Sequence, residues 1–135
     1  MSFRPRRSVL YMPGSNQRAL EKSRTLKADT LIFDLEDAVS PDKKQLAREQ
    51  VVAAIQLGGY GKREIIVRVN GLDSEWGEDD ITAAAVSGAD GICLPKIENE
   101  IEVEAAVKLL NDAGAPSTVQ IWVMIETPLG VHNVN

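Results

Sequence analysis

Thr30-Leu31-Ile32-Phe33-Asp34-Leu35-Glu36-Asp37 decides how the rest of this chain is read. The first six residues are apolar apart from Thr30 and Asp34, and Glu36 and Asp37 close the run. A short, nearly continuous apolar run is the mark of a strand buried on both faces, as in a parallel sheet covered by helices. Four more segments share this form: Ser8–Met12 before Pro13-Gly14, Glu64–Val69 before Asn70-Gly71, Gly91–Leu94 before Pro95-Lys96, and Val119–Ile125 before Glu126. All five are expected to be strands buried on both faces.

Helical spacing fills the intervals. Ser15–Leu26 reads as a helix capped by Ser15. Pro41–Leu57 follows, with Pro41 in the first turn and Leu46, Val51 and Ile55 near one face. Asp79–Val86 stops at Gly88. Asn99–Ala113 is capped by Asn99, repeats apolar residues at Ile101, Ala105, Leu109 and Ala113, and closes at Gly114. The order β-α-β-α-β-α-β-α-β implies parallel strands joined by crossovers. An open doubly wound sheet and part of a (β/α)8 barrel both satisfy it. The first strand does not lead into G-x-G-x-x-G, which weighs against a dinucleotide-binding sheet.

In either architecture, chemistry collects at the C-terminal ends of the strands. Here those ends carry Asp34, Glu36 and Asp37, then Arg68 and Asn70, then Lys96 and Glu98, then Glu126. Residues two apart on a strand share a face, which puts Arg68 with Asn70 and Asp34 with Glu36. Charges flanked by buried strand must be paired or ligand-bound. One reading is a structural network, with Arg68 held by Asp34 or Glu36 and Glu126 paired to Lys96. The other is an active-site rim. Glu126 emerges from a strand that is apolar except for Gln120, and a carboxylate fixed there is a good ligand for a hard cation such as Mg2+.

Composition removes other classes. A net charge of −5 gives no footprint for nucleic acid or an anionic membrane. No apolar run approaches the ~20 residues of a membrane span, and Met1–Gly14 lacks the apolar segment of a secretory signal. The single cysteine, Cys93, reads as a buried structural thiol and suits a reducing, cytoplasmic setting. Arg4, Arg6 and Arg7 read either as a solvated tail or as partners for a phosphate-bearing ligand. His132 reads as incidental.

Five motifs match one family at once: Arg7-Ser8-Val9-Leu10-Tyr11-Met12-Pro13-Gly14, Phe33-Asp34-Leu35-Glu36-Asp37-Ala38-Val39, Val67-Arg68-Val69-Asn70-Gly71, Leu94-Pro95-Lys96-Ile97-Glu98 and Ile125-Glu126-Thr127-Pro128-Leu129-Gly130. In this order and at strand ends, they resemble the citrate lyase β-subunit-like proteins, including malyl-CoA and citramalyl-CoA lyases, within the HpcH/HpaI aldolase superfamily. The resemblance implies a parallel TIM barrel, of which residues 1–135 are the N-terminal portion of one domain, with about five strands and four helices. It implies a Mg2+-dependent carbon–carbon lyase acting on a 3-hydroxyacyl-CoA such as malyl-CoA, citramalyl-CoA or citryl-CoA/ACP, in a cytoplasmic homo-oligomer. Arg68 would match the arginine that binds the substrate's carboxylate or carbonyl oxygen, and Glu126 the first Mg2+ ligand. Glu36 and Asp37 would match acids that line the pocket and orient the arginine. Pro13, Gly14, Ser15 and Arg18 would lie where CoA or its phosphates are received.

A full barrel takes roughly 250 residues. The family's second metal-binding aspartate, on the next strand, and a C-terminal catalytic aspartate fall outside this sequence. A shortened form of a full enzyme, a half-barrel closed by another chain, and an inactive relative are all compatible with that. So are three readings besides the lyase: a thioesterase on the same scaffold, an aldolase on free oxo acids, and a non-catalytic ligand-binding or assembly fragment.

Overall fold

The computed structural model describes residues 3–134. Five strands, β1 Val9–Pro13, β2 Thr30–Asp34, β3 Glu64–Arg68, β4 Gly91–Leu94 and β5 Gln120–Val123, form one sheet in the order β1-β2-β3-β4-β5. Every neighbouring pair is parallel. The helices are α1 Gln17–Ser23, α2 Lys44–Leu57, α3 Gly77–Ala85, α4 Glu100–Asp112 and a short α5 Pro128–Asn133. Along the chain α1 packs on α2, α2 on α3 and α3 on α4. A doubly wound sheet reverses its strand order to cover both faces. This one never reverses, so its helices form one continuous outer layer, as in a barrel wall.

Period-two alternation divides the strand residues between two environments. Leu31, Phe33, Ile65, Val67, Ile92 and Leu94 point outward into the core shared with the helices. Ile32, Ile66 and Cys93 point to the other face, with Trp122 and Met124 packed against them. β2, β3 and β4 are buried throughout. β1 and β5 are not: Val9, Leu10, Tyr11 and Val123 are about 40% exposed. The expectation of two-sided burial is not met at these two strands, which are the outermost of the sheet among the described residues.

The helical stripes are rotated from those expected. In α4 the buried residues are Ala106 and Leu110, while Ile101 is exposed. In α2 they include Ala47 and Val51, while Leu46 is exposed. A repeat of exactly four residues drifts by about 40° per step around a 3.6-residue turn, so Ile101 and Ala105 are exposed while Leu109 and Ala113 pack against the core. Asn16, not Ser15, caps α1, accepting from the Ala19 amide at 3.1 Å. Asn99 caps α4 as expected. A 3-10 turn, Pro41–Lys43, precedes α2.

The N-terminal arginines are held by acids at the N-terminal end of the sheet rather than solvated as a tail. Arg6 donates from Nε and Nη2 to both oxygens of Glu64, each at 2.7 Å, and its guanidinium lies over the Trp122 ring at 5.2 Å. Glu64 is the first residue of β3 and is buried, and the Thr30 hydroxyl donates to it at 2.9 Å. Arg7 pairs with Asp29. These pairs close the N-terminal end of the sheet, opposite the end expected to do chemistry. The Arg6 hydrogen bond holds the Glu64 carboxyl below its ordinary range against the opposing effect of burial.

Candidate active site

Arg68 is the last residue of β3, and its side chain is on the same face as Ile66. Its Nε and Nη2 donate to the two oxygens of Asp34, at 2.7 Å each. Asp34 ends β2 directly opposite Arg68 in the sheet register. The same carboxylate accepts from the amides of Glu36 and Ala38, both at 2.9 Å. Burial opposes the charge on Asp34, but Arg68 and the two amides outweigh it and keep the carboxyl below its usual range. Two of the three guanidinium nitrogens are thereby fixed. The third, Nη1, lies 3.7 Å from the Met124 sulfur and 3.6 Å from Glu36 Oε1. The Tyr11 ring packs on the guanidinium at 4.9 Å.

Glu36 is buried, and its Oε1 has no hydrogen-bond partner. Its Oε2 accepts from Lys96 Nζ at 3.0 Å. Burial, with Asp37 adding to it, pushes this carboxyl above its usual range against the pull of Lys96. Asp37 stands at the exposed rim, 3.8 Å from Lys96 Nζ. Glu126 follows β5, two residues after Met124 on the strand's alternation. Its Oε1 accepts from the backbone amide of Lys96 at 3.0 Å. The expected pairing of Glu126 with Lys96 is thus made by the main chain, while the ammonium serves Glu36. Both Arg68 and Glu126 act electrostatically on the Tyr11 hydroxyl and on the Cys93 thiol, whose pKa burial pushes up to about 11. Arg68 and Glu36 thus stand 3.6 Å apart, and Lys96 links Glu36, through its ammonium, to Glu126, through its amide.

The structure separates other residues that the sequence grouped together. Asn70 does not share the side of Arg68. Beyond the strand the chain turns, and Asn70 Nδ2 donates to Leu35 O at 2.9 Å and Asp80 Oδ2 at 2.6 Å. Gly14 is buried, and a Cβ there would stand 2.8 Å from Asp34 O and 2.9 Å from Val51. Its place is a close packing contact that brings the β1–α1 turn onto β2. Pro13 ends β1, half-buried, and Arg18 is exposed on α1. His132 is exposed on α5.

A cavity of about 590 Å³ opens beside these strand ends. Glu36, Asp37, Lys96, Lys44, Ser74 and Trp76 are among the residues that line it, and Arg68 and Glu126 are not. Lys44 is buried and donates to the carbonyls of Leu35 (3.0 Å) and Glu36 (2.6 Å), beneath the Trp76 ring. Lys44 and Tyr11 went unassigned in the sequence reading, where Lys96 appeared only as a strand-end cation paired to Glu126.

A profile of the family described as HpcH/HpaI aldolase/citrate lyase matches residues 7–135. This chain belongs to that family. Among curated HpcH/HpaI relatives, a (3S)-malyl-CoA thioesterase of Cereibacter sphaeroides is 50% identical over 96% of this chain and 43% of its own length. A citrate lyase subunit beta of Leuconostoc mesenteroides subsp. cremoris is 39% identical over 96% of this chain and 45% of its own. The chain therefore spans less than half the length of these relatives. A crystal structure of CitE from Mycobacterium tuberculosis in complex with magnesium, acetoacetate and coenzyme A superposes with a TM-score of 0.70 at 25% identity, covering 93% of this chain and 41% of that one.

The magnesium in that relative raises the question of whether the residues here suit such an ion. Among the described residues no group of three or more His, Cys, Asp or Glu converges. Mg2+ does not need one, since it commonly takes one or two carboxylates and fills its remaining positions with water and substrate oxygens. Glu126 is exposed and anchored through one oxygen only. Glu36 offers a buried oxygen with no hydrogen-bond partner. These two acids fit a hard cation shared with a substrate.

Proposed function

We propose that this chain is the N-terminal portion of a single barrel domain, and that it contributes half the active site of a Mg2+-dependent lyase. The substrate class is a 3-hydroxyacyl-CoA thioester such as malyl-CoA, citramalyl-CoA or a citryl thioester. The products are an oxo acid and an acetyl-CoA-type thioester. The observation that carries this reading is Arg68, pinned by Asp34 through two nitrogens, with the third turned toward the end where Glu126 and Glu36 stand. A guanidinium held in this way is preorganised for a carboxylate or an oxyanion.

Cleavage breaks the bond between the hydroxyl-bearing carbon and the carbon next to the thioester. The hydroxyl gives up its proton and becomes the oxo group. The electron pair passes to the thioester enolate, which is then protonated. Arg68 Nη1 orients the substrate carboxylate or stabilises the enolate oxygen. Glu126, with Glu36 behind it, would hold the Mg2+. That ion, when bound, supplies Lewis-acid stabilisation of negative charge on the substrate oxygens. Asp37 guards the rim, and Lys96 keeps Glu36 in place. Pro13, Gly14 and Arg18 lie on the β1–α1 side, where the CoA moiety with its phosphates is received, Arg18 by charge and Gly14 by shaping the turn. As the family resemblance implies, we assign the enzyme to a cytoplasmic homo-oligomer.

A thioesterase is the second reading, favoured by the names of the relatives at 46–50% identity. Incubating the purified protein with Mg2+ and malyl-CoA separates the two. The lyase releases glyoxylate and no free thiol. The thioesterase releases free CoA and no glyoxylate. Release of neither product, with citramalyl-CoA also inert, overturns both and leaves a ligand-binding fragment.

A further inference from the structure

Lys96 has a positive φ, 51°, and among the described residues is the single non-glycine residue that does. A lysine in the left-handed region is disfavoured by about 1 kcal/mol or more, and such strain persists where surrounding contacts over-determine it. Those contacts are present. Met124 N donates to Leu94 O at 2.9 Å, and Ile97 N donates to Met124 O at 3.1 Å. In an unbroken parallel ladder, the amide that reaches Met124 O would belong to Lys96, two residues after Leu94. Here Ile97 takes that position, so the β4 strand end carries one extra residue. This is a β-bulge, a device that bends a strand end and re-aims one group. Pro95, which has no N–H to lose, fills the first position of the excursion. Gly130 locks the second side: a Cβ there would stand 2.5 Å from Ile97 O. The amide displaced from the ladder is Lys96 N–H, and it meets Glu126 Oε1 at 3.0 Å.

We infer that Lys96 is a positioning residue, and that the bulge at Pro95–Lys96 exists to turn its main-chain N–H onto Glu126, fixing one carboxylate oxygen and presenting the other to a divalent cation. This rests on the reading of Glu126 as a cation ligand. The device works through the backbone. A side chain at 96 matters to it only through the φ it tolerates. Lys96→Gly accepts positive φ freely, Lys96→Met accepts it as lysine does, and the β-branched Lys96→Val does not.

The test is Mn2+ binding to the protein, followed by electron paramagnetic resonance, with urea melts fixing the folded fraction of each variant. Lys96→Gly and Lys96→Met, like Lys96→Val, lose the ammonium that pairs with Glu36, so they set the reference and are expected to bind equally tightly. Lys96→Val is expected to bind about 10- to 100-fold more weakly than that reference per folded molecule, the range for losing a group that orients a metal ligand. Val binding as tightly as Gly and Met overturns the inference. A purely structural role moves the melts and leaves the affinities alone. A second measurement needs no disruptive variant. On Mg2+ addition the Lys96 amide resonance shifts in the wild type and in Lys96→Gly, and stays still in Glu126→Gln. An unmoved wild-type amide at Mg2+ saturation also overturns it. If Glu126→Gln binds Mn2+ as tightly as the wild type, the functional reading itself falls and this inference with it. Tight binding lost in Glu126→Gln but kept in Val removes the inference alone.

Discussion

Arg68→Ala will lower stability by about 3–5 kcal/mol, because it leaves the Asp34 carboxylate buried without its counter-charge. The remaining Glu36 and Ala38 amides cannot replace a bidentate cation, so acid titration of the variant will show a carboxyl that protonates at higher pH than in the wild type. Activity will fall by about 100- to 1,000-fold per folded molecule, the scale of a lost oxyanion donor. Stability and activity can be separated. The double variant Asp34→Leu/Arg68→Met removes both charges together, and buried pairs replaced by apolar residues of similar size are commonly neutral or stabilising. It is expected to fold at least as well as Arg68→Ala, to regain most of the lost stability in urea melts, and to remain inactive. Recovery of activity in the double variant would show that Arg68 is structural only.

Asp80→Ala is expected to be the complementary case. Asp80 is fully buried in α3. Its Oδ2 accepts from the Asn70 amide (3.0 Å) and Asn70 Nδ2 (2.6 Å), and its Oδ1 from Arg48 Nε at 2.7 Å. Alanine strands two buried donors and one half-buried guanidinium. A loss of about 3 kcal/mol follows from the unsatisfied groups. These contacts tie α2, α3 and the β3–α3 loop together on the helix side of the sheet, away from the Arg68 face. The variant is therefore expected to melt earlier yet retain the activity of its folded fraction. Substrate cleavage reduced as far as in Arg68→Ala, at full foldedness, would contradict that division of labour.

The two positions show what the sequence could and could not reveal. Arg68 and Asp34 sit in apolar strand runs, where an ionisable residue has no cheap place, so a pair or a ligand was foreseeable from composition alone. That the partner is Asp34 rather than Glu36 depends on the register of β2 against β3, which no local pattern encodes. Strand positions and their parallel order followed from five apolar runs separated by helices. The exposure of β1 and β5 did not, because edge position belongs to the sheet and not to the segment. Ile101 looked like core because it began a regular repeat, but α4 turns its Ala106–Leu110 side inward. Asn70 illustrates the same limit for the site. Two residues from Arg68 on paper, it leaves the strand and turns to Asp80. The bulge at Lys96 had only the dipeptide Pro95-Lys96 as a signal, since a left-handed lysine is fixed by contacts from β5 and α5 that lie about thirty residues away in sequence.

In the proposed site Glu126 and Glu36 face one cation and Arg68 faces the substrate it shares, all at one end of the sheet. Paramagnetic broadening by Mn2+ tests it directly, read at the guanidinium signals of Arg68 and Arg6 and at the amides of Lys96 and Glu64. Substoichiometric Mn2+ is expected to erase the Arg68 and Lys96 signals and to spare those of Arg6 and Glu64 at the opposite end. Broadening centred on Glu64 and Arg6, or Arg68 signals left sharp when Mn2+ is bound, would contradict it.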